Sequence, residues 1–180
     1  MLTIDDLTRH FKLEALPVEG GIFTQTYKAS EVIPHAALPA RYTGAKPLGT
    51  AILFLFTPDA DSFSAMHRLP TDEIYHFYLG DPIELLLLHP DGRSERVILG
   101  QDILNEQQVQ YVVPHGTWMG SRLIRGGRFA LMGTTLAPGF THDDFDGASR
   151  ADLIAQYPHA ATLITQLTRT GSALTMPEGY

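Results

Sequence analysis

From Thr50 to Ala137 the chain is a series of short apolar runs: TAILFLF (50–56), EIYHFYL (73–79), IELLLLH (83–89), ERVILG (95–100), QYVVP (110–114), GSRLI (120–124) and FALMGTTLA (129–137). The breaks between them, PDAD, GDP, PDGRS, PHG and RGG, are turn chemistry: glycine admits positive φ, proline presets its own φ, and aspartate bonds nearby backbone. An earlier run, IFTQTYKAS (22–30), follows Pro17 and Gly20-Gly21 and has the β-branched and aromatic content of a strand. Seven or eight short strands at this spacing predict an all-β sandwich or barrel rather than a parallel α/β sheet. Residues 34–49, with three prolines and two glycines, predict a long surface loop.

The spacing turns helical at both ends. Thr3 with Asp6 makes a capping-box start for a short helix ending near Leu13. Beyond Pro138, Ser149 with Asp152 caps ADLIAQY, and ATLITQL follows Pro158, which predicts two short helices closing one end of the barrel. Residues 1–170 are then a single domain, and 171–180, GSALTMPEGY, a loose C-terminal tail.

Composition narrows the function classes. A chain of 180 residues fits one domain with a sizeable core. Its 13 Lys and Arg against 20 Asp and Glu give a net charge of -7 without a basic cluster, which argues against a nucleic-acid partner. The chain has no cysteine, so no disulfide framework, zinc ribbon or thiol chemistry is expected. The longest apolar run, 51–56, is far short of the roughly 20 residues of a membrane helix. The N-terminal MLTIDDLTRHF is acidic rather than signal-like, so a cytoplasmic location without a membrane partner is expected.

One stretch, MHRLPTDEIYHFYLGDP (66–82), carries polar groups inside what otherwise reads as a buried strand. Polar groups are costly to bury unless paired, so such a strand faces water or lines a site. His67, Glu73 and Gly80 stand at the intervals of the first cupin motif, and Pro114 and Gly116 of PHGTWM match the second. EGGIF (19–23), DEIYHF (72–77), GDP (80–82) and APGF (137–140) follow in the order of the fifth cupin subfamily, long labelled a domain of unknown function. The chain resembles that subfamily over residues 3–168. The resemblance implies a jelly-roll β-barrel with a central pocket, usually a homodimer, similar in shape to the sugar-nucleotide 3,5-epimerases. In metal-binding cupins two histidines and a glutamate of the first motif and a histidine of the second hold the ion. Here the second and last of those histidine positions are Leu69 and Met119, so no tightly bound metal or other cofactor is expected.

Strand alternation assigns the faces. If Glu73 points inward, so do Tyr75, Phe77 and Leu79, while Ile74, His76 and Tyr78 take the other side; Met119 shares the inward face with Thr117 and Ser121. The expected catalytic set is His67 as general base, Glu73 to orient or charge it, and Tyr75 as acid. Phe77, Thr117, Trp118 and Met119 are the expected ligand-binding residues. Packing is the competing role for His67, Tyr75 and Trp118, and a dimer interface for His76. His115 and His142 are expected as solvated loop residues, and Glu19, Gly20 and Gly21 as either a plain turn or a close backbone approach to a ligand. An inward Lys28 or Arg68 would meet a phosphate. These residues fit a metal-independent epimerase or isomerase of a carbohydrate or related carbonyl compound. The alternatives are a non-catalytic small-molecule binding protein and a metal-dependent isomerase or dioxygenase.

Overall fold

The computed structural model describes residues 2–179. In chain order its elements begin with α1 (Ile4–Phe11), β1 (Glu14–Ala15), β2 (Ile22–Lys28), β3 (Val32–Ile33), β4 (Lys46–Pro47) and β5 (Thr50–Phe56). There follow β6 (Phe63–Arg68), β7 (Glu73–Gly80), β8 (Ile83–Leu88), β9 (Ser94–Leu99), β10 (Gln110–Val113), β11 (Trp118–Leu123) and β12 (Ala130–Leu136). The last are β13 (Asp146–Gly147), α2 (Arg150–Gln156) and α3 (Ala161–Gln166). The strands form a six-stranded sheet in the order β1-β2-β5-β12-β7-β10 and a five-stranded sheet in the order β13-β6-β11-β8-β9. Every pairing within them is antiparallel. Each sheet draws strands from distant parts of the chain, which is the jelly-roll arrangement.

The inner faces of the sheets share one core, with Phe54 and Phe56 from β5, Tyr75 and Phe77 from β7, and Leu85 and Leu87 from β8. All six residues of β8 are buried, because both faces of its sheet are covered. Its alternate residues Leu86 and Leu88 meet Leu153, Tyr157 and Ile164 of the C-terminal region. The C-terminal helices therefore lie on the outer face of the five-stranded sheet instead of closing an end of the barrel. The apolar back of β8 dictates this. On the six-stranded sheet α1 does the same for one corner, packing Leu7 over Leu55 and Leu131. Its start is the expected capping box, with Asp6 N–H donating to Thr3 Oγ1 and Thr3 N–H to Asp6.

Four local expectations change. Residues 63–68 form a full strand, β6, although Ser64 and His67 break up its apolar pattern. The loop of 34–49 is not wholly superficial: Tyr42 and Lys46 are buried, and Lys46 Nζ donates to Asp144 Oδ1 at 2.6 Å and to the Thr141 hydroxyl. In β7 the alternation holds through Phe77, but the register against β12 skips a residue between Phe77 and Leu79. That bulge turns Leu79 to the outer face, where it packs with Leu55 and Leu131. The tail is not loose at Met176, which is buried, and Gly147 N–H donates to Leu174 O at 2.8 Å. Among the described residues no helix is long and apolar enough to cross a membrane.

Candidate functional site

A cavity of about 60 Å³ opens between the sheets where β5 and β7 begin and β6 and β12 end. His67, Glu73 and Thr134 line it, together with Glu19 and Gln25. Most of the remaining wall is apolar, with Leu69 and Leu136 from the barrel and Phe140, Phe145 and Met176 from the closing segments. This volume is small beside the roughly 300–1,000 Å³ of drug-sized ligand sites.

His67 lies on β6, opposite Met119 of β11 and Gly147 of β13, and is 2% exposed. Its Nδ1 is 2.8 Å from Ala65 O. A carbonyl can only accept, so Nδ1 carries the hydrogen and Nε2 of the neutral ring is a free lone pair. The ring stacks on Phe145, with centroids 4.9 Å apart and planes at 17°, which fixes its orientation.

Glu73 is the first residue of β7, facing Leu136 of β12 and Val113 of β10. Burial pushes its carboxyl up to about 7; His67 opposes the rise, the Glu19 charge adds to it, and the hydroxyls of Thr134 and Tyr75 pull back weakly. Thr134 is near enough to favour the carboxylate but closes no hydrogen bond, since Glu73 Oε2 and Thr134 Oγ1 are both buried without a partner. Two unpaired polar atoms in one small cavity are groups that a bound molecule would satisfy.

Glu19 belongs to a turn that sequence reasoning left open. Val18, Gly20 and Gly21 all have positive φ, at 65°, 93° and 71°. A Cβ on Gly20 would strike Arg169 at 2.2 Å, and one on Gly21 the ring of Phe54 at 2.2 Å. The glycines thus admit Arg169 and Phe54, not a ligand. Arg169 Nη1 donates to Glu19 O at 2.9 Å, and Ser64 Oγ donates to Glu19 Oε1 at 2.6 Å. Those bonds hold the Glu19 carboxyl at the cavity.

The other expected site residues are placed elsewhere. Tyr75 sits behind the lining against Glu73, its hydroxyl pushed well above the ordinary range by burial and then by the Glu73 and Glu19 charges. Such a phenol donates a hydrogen bond but gives up its proton poorly. Phe77 and Met119 fill the shared core, and Thr117 is buried in the turn before β11. Trp118 faces outward to the helix layer and stacks under Arg68, whose guanidinium is 4.4 Å from the ring centroid. Arg68 Nε also donates to Asp146 at 2.6 Å, and Lys28 is exposed at the end of β2, so neither reaches the cavity. His115 is half-exposed against Asp72, and His142 against Asp143.

The donor set does not fit a resident metal of three or four protein ligands. His67 and Glu73 share the cavity, but the other two motif positions are Leu69 in its wall and Met119 in the core. Among the described residues no group of three or more His, Cys, Asp or Glu side chains has the arrangement to hold an ion. Glu19, Gln25, Thr134, Phe145 and Met176 are among the lining residues that sequence reasoning missed or left without a role. The only signal for Glu19 was its place before Gly-Gly, and for Met176 there was none.

Residues 5–148 match the family described as Cupin superfamily (DUF985). The protein SO0799 from Shewanella oneidensis is 31% identical and superposes with a TM-score of 0.80, covering 94% of this chain and 99% of that one. A hypothetical protein from Leishmania major is 26% identical, with a TM-score of 0.79 and 93% and 99% coverage. The uncharacterized protein YML079W of Saccharomyces cerevisiae is 30% identical over 98 residues, 53% of this chain and 48% of the yeast protein. The chain thus spans about half the length of that curated relative. Oxalate decarboxylase from Bacillus subtilis, at 13% identity and a TM-score of 0.53 over 94% of this chain and 40% of the enzyme, shares the fold alone. The inward His67 and Glu73, the two-sheet jelly roll and the match over most of its length agree: the chain belongs to the cupin superfamily, in the family described as DUF985.

Proposed function

We propose that the barrel interior binds a small molecule and moves a proton on it, as a metal-independent isomerase or epimerase of a hydroxylated carbonyl compound. The observation that carries this reading is the pair of opposed groups in one cavity. His67 presents a free Nε2 lone pair, and Glu73, its carboxyl near 7, is available in the protonated form at neutral pH. Nε2 would take the proton from the carbon next to a carbonyl while Glu73 hands its own to the carbonyl oxygen, giving an enediol. His67 then returns its proton to the former carbonyl carbon while the neighbouring hydroxyl gives its proton back to the Glu73 carboxylate, which completes an isomerisation and restores both groups. Tyr75, expected as the acid, is better suited to orienting Glu73. A pair of copies is part of the same reading, supported by an uncharged row across the outer face of the six-stranded sheet.

The test is exchange of solvent deuterium into the carbon next to the carbonyl of small hydroxy-aldehydes and ketones. His67→Asn should keep the fold, because one hydrogen bond to Ala65 O can persist, and should slow exchange by roughly 100- to 10,000-fold. Equal exchange by wild type and variant would sink the proposal. A non-catalytic binding role is favoured by the largely apolar wall and would show as binding without exchange in the wild type.

A further inference from the structure

We propose that the cavity selects small uncharged hydroxy-carbonyl compounds and rejects their phosphate esters and nucleotide-linked forms. This rests on the reading of the barrel interior as a proton-transfer site and adds the substrate class to it.

Glu19 and Glu73 line the cavity, and among the described residues no lysine or arginine does, so the His67 imidazole is the one basic group a ligand meets there. The cations nearest to such a role are each committed elsewhere. Lys46 is buried but held by Asp144 and Thr141. Arg169 is spent on Asp61 and on the carbonyls of Val18 and Glu19. Arg68 is bound to Asp146 outside the barrel. A phosphate would enter a poorly solvated space beside at least one carboxylate and meet no guanidinium or ammonium, the groups that ordinarily pair with it.

Hydroxyl groups suit what remains. His67 Nε2 and the carboxyl oxygens of Glu19 and Glu73 accept, Thr134 Oγ1 donates or accepts, and the Gln25 amide does both. A hydroxyl can serve either kind of partner, and a carbonyl can take the proton of neutral Glu73. The volume of about 60 Å³ limits the ligand to a few carbon atoms and leaves no room for a nucleotide.

The probes are dihydroxyacetone, its phosphate ester, and 2-amino-1,3-propanediol as a cation of matched size, each titrated against the full chain at pH 8 by ligand-observed NMR. The free ketone should bind at least tenfold more tightly than the ester. Glu19→Gln, which can still accept from Ser64, should narrow that gap severalfold. Equal or tighter binding of the ester overturns the inference, and tighter binding of the amine overturns it in favour of an organic cation. Deuterium exchange into the ketone, read on parallel samples at pH 7 where Glu73 still holds a proton in about half of the molecules, reports separately on proton transfer, so the charge preference can survive a failed catalytic reading. Binding of none of the three overturns both.

Discussion

At the scale of single residues, the group with the largest consequence is Glu73, because its position sets both its chemistry and a cost to folding. A carboxyl whose folded pKa is about 7, against an ordinary 4.5, holds its proton more tightly folded than unfolded. Its contribution to stability is therefore complete below about pH 4.5, declines as the pH rises toward 7, and is flat above that. At roughly 1.4 kcal/mol per pH unit the decline is about 3 kcal/mol. Glu73→Gln cannot ionise, so its stability relative to wild type should rise by that amount between pH 4.5 and 8. Urea midpoints of both proteins at pH 4.5, 6 and 8 measure this; parallel pH profiles would mean that Glu73 is solvated. The buried Lys46–Asp144 pair is the opposite case. Its charges are matched at 2.6 Å and tie the segment before β5 to the segment carrying Phe140 and Phe145. Removing one partner of such a pair strands a buried charge, whereas Glu73 relieves the same penalty by holding its proton up to about pH 7.

Among the elements, the C-terminal segment departs most from its expected role. Arg169 anchors its start, the bond from Gly147 to Leu174 holds its middle, and Met176 seals the cavity. Met176→Ala should cost about 2 kcal/mol, the low end for such truncations because the side chain sits at a boundary. A loss under about 0.5 kcal/mol in urea unfolding would show that the segment merely rests on the surface. The strands were legible because turn residues punctuate them and apolar residues fill them; β8 reads IELLLL in sequence and is buried along its whole length. β6 was not, since Ser64 and His67 occupy the places where a strand shows apolar residues. Within the site, His67 and Glu73 could be picked out because each is polar in an apolar context at a familiar spacing. Glu19 and Met176 reach the cavity only through contacts with residues far along the chain, Glu19 by way of Arg169 and Met176 beside Phe145. Local pattern carries no trace of such contacts. Trp118 was expected at the ligand, yet alternation already sets it opposite the inward Met119; what local pattern does not show is that the helices cover that outer face.

For the whole molecule, the covering of the two sheets is unequal. The helices bury the back of the five-stranded sheet, whereas α1 covers only one corner of the six-stranded one. Across the rest, register places Tyr27, Ala51, Thr135, Ile74 and Val112 side by side on successive strands β2, β5, β12, β7 and β10. None of the five carries a charge, and Tyr27 and Val112 are 55% and 49% exposed. In the neighbouring row Gln110 donates to His76 Nδ1, which leaves His76 Nε2–H to donate to Thr135; burial lowers the imidazole pKa and keeps it neutral as well. An uncharged face bounded by an edge strand invites pairing, and a row that spans the sheet fits a second copy packed against it about a two-fold axis. We propose that this face is the homodimer interface. Val112→Lys puts a charge on the row at its solvent-exposed edge, where the monomer fold tolerates it, and should weaken the dimer at least tenfold. Leu104→Lys, 93% exposed in the loop before β10, is the matched control and should leave the dimer intact. Light scattering of the three proteins at micromolar concentration decides: a monomeric wild type, or a dimer lost equally in both variants, would remove this face from the interface.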